Sequence, residues 1–258
     1  LENSPKNYLE LFKDRVDDRY LDLFQKVALK PDLSNEIWNE WRICETSKIL
    51  NVSHSKIEIV DHEAAHAAYA YYGSHFRSSD TLIVTFDGFG DRANATVSSI
   101  SGNQINFLKL YSNFNIGRIY RYITLLLSMK PSEHEFKVMG LAPYASDYTC
   151  RSALNVFRKA YQFNPDGSIT SDPDLKDHFF YFVERLRSCR FDGIAGALQT
   201  FTEEMVVDLI RYWVRRTGAT RVVVSGGVSL NIKANMEIGK IPEIQDLFVV
   251  GSGGDESL

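Results

Sequence analysis

Three short apolar runs, each ending in a turn rich in glycine, constrain this chain more than any other feature. Leu82-Ile83-Val84-Thr85-Phe86 breaks into Asp87-Gly88-Phe89-Gly90-Asp91, and Arg221-Val222-Val223-Val224-Ser225 breaks into Gly226-Gly227. Leu247-Phe248-Val249-Val250 runs into Gly251-Ser252-Gly253-Gly254-Asp255. Near-continuous apolar runs of this length read as strands buried on both faces. Helical patterns separate them, so the expected fold class is α/β. Glycine turns after strands expose backbone N–H groups and helix N-termini, a cradle for phosphate. A ligand at the carboxyl ends of the strands follows.

Periodicity places the remaining elements. Tyr8, Leu9, Leu11 and Phe12, then Tyr20, Leu21, Leu23, Phe24 and Val27, recur at roughly helical spacing up to Pro31. Ser34 is expected to cap a second helix bearing Ile37, Trp38, Trp41 and Ile49, stopped by Asn51. Both aromatic stripes are expected to be core. Residues 1–50 thus read as a helical segment ahead of a motif-bearing core over 51–258. Lys56 to Val60 predicts a strand delivering the chain to Asp61, a good N-cap for a helix from His62 to Gly73. Ala95–Ile100 and Ile105–Leu110 predict a hairpin, and Arg118 to Met129 a helix closed by Pro131. Residues 162–175 are turn-rich and read as a surface excursion. The longest predicted helix runs from Ile194 to Arg216, with Ile194, Leu198, Phe201, Met205, Leu209 and Trp213 on one face and Gly218 at its end. Another is expected from Ser229.

The predicted helix after Val60 carries His62-Glu63-Ala64-Ala65-His66. Residues i and i+4 share a helix face, with Cβ atoms about 5–6 Å apart. Two imidazoles can there close on one divalent ion at about 2.0–2.1 Å. The spelling also fits H-E-x-x-H, in which the glutamate is the general base of a zinc metallopeptidase. The third ligand argues otherwise, because the metzincin positions for Gly and His hold Tyr69 and Tyr72. The next segment is a strand ending in Asp87 rather than a helix bearing Glu. Two histidines and a strand-end carboxylate suit Fe2+ as much as Zn2+. Read alone, Asp87 is equally a turn residue. Gly226-Gly227 and Gly253-Gly254 are likewise tight turns first and ligand cradles second. In Glu133-His134-Glu135-Phe136-Lys137, a lysine among acids reads first as a solvated ion pair.

Charge and composition exclude some classes. The net charge of −4 gives no electrostatic reason to expect nucleic acid. No apolar run approaches the roughly 18–20 residues needed to span a bilayer, and the first residues lack a signal-peptide plan. Cys44, Cys150 and Cys189 are scattered without C-x-x-C spacing, which fits reduced thiols in a cytoplasmic protein.

Taken together, the motifs resemble a known family. His62-x-x-x-His66-Ala67, Phe86-Asp87-Gly88-x-Gly90, the run from Glu135 through Phe136-Lys137-Val138-Met139-Gly140-Leu141-Ala142-Pro143 to Tyr144, Ser225 to Asn231, and Gly254-Asp255 stand in this order. The same order occurs in the O-carbamoyltransferases, the family of nodulation protein NodU and of cephamycin and tobramycin carbamoyltransferases. The resemblance covers about residues 48–258, and Glu135 to Tyr144 is its most specific part.

The resemblance implies an actin/sugar-kinase/Hsp70-like (ASKHA) transfer domain, related to the tRNA threonylcarbamoyl-transfer enzymes. It implies His62, His66, Asp87 and Asp255 as metal ligands, with Fe2+ favoured over Zn2+. Gly88, Gly90, Gly226, Gly227 and Asn231 would line a nucleotide cleft; beside what the resemblance implies, the chemistry of the step suits Lys137 as a catalytic cation that steadies developing negative charge. Carbamoyl phosphate and ATP would form carbamoyl-adenylate in a second, YrdC-like domain. The carbamoyl group would then pass to a hydroxyl of a small-molecule acceptor, as in the making of antibiotics or nodulation factors. No nucleic acid or membrane partner is implied, and a homodimer is compatible with it. Loops such as 162–190 would hold the acceptor selectivity.

The chain departs from the family pattern at Glu63, usually His, and at Ala145, usually Gly. Glu63 is therefore expected to be incidental. The chain is also expected to be incomplete at both ends: it lacks a first strand with its phosphate turn, and the YrdC-like domain. It is expected to lack turnover by itself. The competing readings are a zinc metallopeptidase using His62, Glu63 and His66, and a non-catalytic nucleotide- or metal-binding module. The peptidase predicts proteolysis abolished by Glu63→Gln. The transferase predicts that Asp87→Ala or Asp255→Ala releases the metal while Glu63→Gln leaves it bound.

Overall fold

The expected strands meet in one mixed sheet. The structure, a computed structural model, describes residues 18–30, 33–77, 80–102 and 104–258. It falls into two units, divided between Asp61 and His62.

The first unit contains helices α1 (Asp18–Leu29) and α2 (Ser34–Leu50). The expected turns around Tyr8 to Phe12 lie outside the described residues. In α1, Leu23 is buried, and Lys26 pairs with Asp22 one turn earlier. The stripe of α2 is not the core expected of it, for no side chain of α2 is fully buried and Ile49 is exposed. Trp38 and Trp41 instead meet edge-to-face at 6.1 Å. Ser34 also fails as a cap: the N-cap position falls on Leu33, leaving Ser34 already helical. Asn51 ends α2 in the left-handed conformation, as expected. No strand forms over Lys56–Val60. His54–Lys56 is a 3-10 turn, and Ile59 and Val60 are exposed without a ladder partner. Apolar residues in an extended segment do not make a strand when no edge is there to pair with.

The second unit begins with α3 (His62–Gly73), β1 (Thr81–Phe86), β2 (Ala95–Ser101), β3 (Gln104–Tyr111) and α4 (Ile116–Leu126). It continues with α5 (Glu135–Leu141), α6 (Asp147–Ala160), β4 (Tyr161–Phe163), β5 (Ile169–Ser171), α7 (His178–Arg185) and α8 (Phe191–Thr217). β6 (Arg221–Ser225), α9 (Ile232–Ile238) and β7 (Asp246–Val249) complete it. The main sheet has the order β3-β2-β1-β6-β7. β1 to β3 form an antiparallel meander, whereas β6 runs parallel to β1 and β7 parallel to β6. In register, Thr85 lies opposite Ser225 and Val224 opposite Val249. The carboxyl ends of β1, β6 and β7 therefore open on one edge of the sheet.

Strand alternation divides the core between two faces. Leu82, Val84, Phe86, Val222 and Val224 point into a large cluster with α4 and α8. Ile83 and Val223 point the other way, onto Ala67, Ala70 and Tyr71 of α3. All six apolar positions predicted for the long helix are buried on α8. At about 1.5–3 kcal/mol for each fully buried side chain, that face fixes α8 under the sheet. Gly218 ends it at φ 72°, where a residue without a Cβ is unstrained.

Smaller differences have local causes. The excursion over 162–175 contains a two-stranded hairpin, β4–β5, closed by Asn164 and Gly167. The helix expected from Ser229 is first a 3-10 turn over Gly227–Leu230. α9 then starts at Ile232, where the Asn231 side chain accepts from Ala234 N–H as its cap. Among the described residues, no helix is long and apolar enough to cross a membrane.

Candidate metal centre

The ends of two parallel strands, β1 and β7, meet the start of helix α3 in one place. His62 and His66 stand on successive turns at the start of α3, their rings edge-to-face at 4.7 Å. Asp87 is the first residue after β1, and Asp255 opens a 3-10 turn after β7. His62 Nε2 lies 2.7 Å from Asp87 Oδ2 and 3.6 Å from Asp255 Oδ1. His66 Nε2 lies 3.7 Å and 3.3 Å from the same two atoms. One donor atom from each of the four residues falls within 4.8 Å of every other. Donors about 2.0–2.2 Å from a common ion stand roughly 3–3.5 Å apart, so this spacing fits a divalent cation.

The surroundings hold the donors in place. The His66 ring is buried, and its Nδ1 lies 3.2 Å from Ser225 Oγ, which turns Nε2 toward the carboxylates. Such a partner on the far ring nitrogen sets the orientation of a metal-binding imidazole. Asp87 is held from behind by Gly88 N–H, which donates to Oδ1 at 2.6 Å. Burial pushes the Asp87 carboxyl up, but hydrogen bonds from both histidines and from Gly88 outweigh it and hold it well below the usual carboxylate range. The hydrogen bond to Asp87 raises the His62 imidazole against the opposing effect of burial. A negative carboxylate facing two imidazoles, with no Lys or Arg paired to it among the described residues, is a donor set that could hold a cation.

The remaining predicted site residues fall in different places. Gly226 has φ 94° and ψ 158°, and a Cβ there would lie 2.1 Å from the Phe86 carbonyl oxygen. This glycine lets the β6 turn cross the end of β1. A Cβ at Gly227 would lie 3.4 Å from Asp87 Oδ1, which places that residue beside the cluster. The Gly88 carbonyl accepts from Asn94 Nδ2 and Arg118 Nε, and Gly90 packs flat against Glu63. Asn231 is buried, with its amide engaged by Gln199 in both directions as well as by Ala234. Lys137 is not among the clustered groups. It is exposed on α5, its Nζ 2.9 Å from His134 Nε2 and 5.8 Å from the Phe136 ring centroid.

Sequence reasoning missed Glu63, Asp91 and the role of Ser225. Glu63 is not incidental: it is buried, and its Oε1 accepts the N–H groups of Arg92 and Ala93, each at 2.7 Å. Asp91 Oδ2 accepts from His62 N–H at 3.1 Å, at the start of α3. A separate apolar cavity of about 540 Å³, lined by Leu125, Met129, Phe179, Leu186, Phe191 and Ile194 among others, includes none of the four donors.

Comparison with known proteins adds to this geometry. Nodulation protein NolNO of Sinorhizobium fredii is 28% identical over 211 residues, covering 79% of this chain and 30% of that protein. Nodulation protein NolO of Bradyrhizobium diazoefficiens is 25% identical over 204 residues, 76% of this chain and 36% of its own. An uncharacterized protein of Methanocaldococcus jannaschii is 24% identical over 245 residues, 87% of this chain and 40% of its own. The chain thus spans 30–40% of the length of these relatives. The family model for the carbamoyltransferase N-terminus matches residues 5–257. That span takes in both histidines, both aspartates and every turn at the strand ends, and the chain belongs to the carbamoyltransferase family.

Proposed function

We propose that this chain is the carbamoyl-transfer region of an O-carbamoyltransferase with an ASKHA-type fold and one divalent metal. The observation that carries the reading is the convergence of His62, His66, Asp87 and Asp255 at one sheet edge in a chain of this family. The mixed sheet, with helices on both faces, supports the fold assignment. Carbamoyl-adenylate, formed from carbamoyl phosphate and ATP in a YrdC-like domain of the full-length protein, is the donor. A hydroxyl-bearing small molecule is the acceptor. Its oxygen bonds to the carbamoyl carbon, and the bond from that carbon to the AMP phosphate oxygen breaks. The hydroxyl loses its proton, giving a carbamate ester and AMP.

The residues divide the work. His62, His66, Asp87 and Asp255 hold the ion, Fe2+ ahead of Zn2+. When bound, it supplies Lewis-acid polarisation of the carbamoyl carbonyl or orients the phosphates. Ser225 keeps the His66 ring turned toward the carboxylates. The turn at Gly226 and Gly227, beside Asp87, presents backbone to the nucleotide, and turn N–H groups steady developing negative charge there. Lys137, on an exposed helix face, is assigned to phosphate attraction rather than to the reacting atoms.

The peptidase reading needs Glu63 to face the ion and a water. Its carboxylate is instead turned into the Arg92–Ala93 backbone and closed off from solvent. The test uses the full-length protein purified anaerobically, with metal content measured and transfer of label from radioactive carbamoyl phosphate to hydroxylated small molecules followed with ATP present. One equivalent of metal is expected, lost together with transfer in the Asp87→Ala/Asp255→Ala double variant. Full metal retention in that variant overturns the site, and unchanged transfer overturns its role.

A further inference from the structure

We infer that Glu63 is a positioning residue that clamps the Asp87–Asn94 loop to the histidine helix and so presets the metal donors. The inference rests on the metal reading above. Glu63 follows His62 directly and sits one turn before His66 on α3. Its side chain is 3% exposed, and Oε1 alone accepts both the Arg92 and Ala93 N–H groups, while Oε2 has no hydrogen-bond partner among the described residues. The loop answers in the other direction, for Asp91 Oδ2 accepts the first N–H of the helix, from His62. Asp87 N–H donates to the Asn94 carbonyl at 2.7 Å and closes the loop on itself. Gly90 lies flat on the clamp, since a Cβ there would stand 2.5 Å from Glu63 Oε1 and 2.3 Å from the Ala93 carbonyl oxygen.

The two ends of the clamp are the two halves of the metal site. Helix α3 carries both imidazoles, and the loop begins with the carboxylate that faces them at 2.7 Å and 3.7 Å. With the loop pinned to the helix, that carboxylate cannot swing away, so the ion meets donors already gathered. A partner outside the ligand set that orients a ligand changes metal affinity by about 10–100-fold when removed. Glutamate is suited to the task because one of its oxygens has two lone pairs for two amides. Glutamine keeps such an oxygen and places its NH2 where Oε2 now stands without a partner. Charge is therefore dispensable at position 63, whereas the acceptor is not.

The experiment titrates Co2+ into the full chain under anaerobic conditions and reads affinity from the d–d absorption. Glu63→Ala is expected to weaken Co2+ binding by about 10–100-fold and to shift the d–d band toward that of Asp87→Asn. Glu63→Gln is expected to stay within about threefold of wild type, a rescue that a role for the carboxylate charge would forbid. Because Glu63→Ala leaves a buried void, Gly90→Ala attacks the same clamp from the loop side and is expected to give the same loss. Phe201→Leu in the distant core serves as control, lowering stability without moving the affinity or the band. Hydrogen exchange on the metal-free protein follows the Arg92 and Ala93 amides, expected to be protected in wild type and Glu63→Gln and fast in Glu63→Ala. Equal affinity in wild type, Glu63→Ala and Gly90→Ala overturns the clamp and leaves the metal reading intact. A wild type that takes up no Co2+ overturns the metal reading, and the positioning role with it.

Discussion

Gly226→Ala offers the sharpest test of why glycines gather at these strand ends. The residue sits at φ 94° and ψ 158°, a region that is essentially closed to side chains and costs about 1–3 kcal/mol to enter. The new Cβ would also stand 2.1 Å from the Phe86 carbonyl oxygen and 2.5 Å from its carbon. Both are backbone atoms of a buried strand end, so nothing flexible can give way, and overpacking of this kind adds about 1–3 kcal/mol. The sum is about 2–6 kcal/mol, or roughly 5–20 °C in Tm for a unit of this size. Gly227→Ala is the internal control, because its Cβ would meet only Asp87 Oδ1 at 3.4 Å and its φ is not positive. It is expected to change stability by less than about 1 kcal/mol while disturbing Co2+ affinity through Asp87. Thermal unfolding followed by circular dichroism, with Co2+ titration alongside, separates the two effects. A Gly226→Ala variant within about 1 kcal/mol of wild type refutes the chain-crossing argument, and so does a Gly227→Ala variant destabilised as strongly.

Three further outcomes follow from single contacts. Ser225→Ala removes the partner of His66 Nδ1 and is expected to weaken Co2+ binding about tenfold with little change in Tm; unchanged affinity would show that the hydroxyl does not orient the ring. Asn231→Ala deletes the α9 cap and strands buried Gln199, for a loss of about 2–3 kcal/mol in urea unfolding, whereas a nucleotide contact would instead show as weaker ATP binding at unchanged stability. Burial and the charge of Arg118 lower the His178 imidazole against the pull of Asp177, with Tyr161 hydroxyl bonded to it and Tyr122 alongside. A depressed folded value means stability present above about pH 6.5 and lost as pH falls through the folded value, at up to about 1.4 kcal/mol per pH unit. His178→Asn should flatten that slope between pH 7 and 5, and an unchanged slope would place the titration elsewhere.

What was legible in the sequence depended on whether a pattern carried its own partner. The six apolar positions of α8 repeat at helical spacing, and each found the core. The β1 and β6 runs are apolar on both faces, and only a central strand buries both. Lys56–Val60 has a similar look over a shorter stretch, yet sheet pairing is a property of two segments, and among the described residues no strand pairs with it. Trp38 and Trp41 share the difficulty, since an aromatic stripe says that a helix has an apolar face but not how deeply it is covered. The proposed metal donors were legible in part because His62 and His66 announce each other at i and i+4. Asp255 is more distant, 189 residues beyond His66, and only the resemblance to a family singled it out.

Glu63 and Gly226 show how a residue that invites a chemical reading also serves the chain itself, and for a common reason. A glutamate between two histidines suggests a base, and a glycine pair after a strand suggests a phosphate cradle. Both suggestions assume that the polar or bare position faces a ligand. In this fold each faces the chain itself: Glu63 accepts from two loop amides, and Gly226 clears a strand carbonyl. These inward contacts hold the ligand-facing residues where they are, because the Glu63 clamp fixes Asp87 and the Gly226 crossing sets Ser225 beside His66. A donor set drawn from three segments far apart in sequence needs such contacts to arrive preassembled, since each segment alone would leave its carboxylate or imidazole free to turn to water. The residues most easily mistaken for chemistry are then the ones that gather it, and their removal is expected to show in metal affinity before it shows anywhere else.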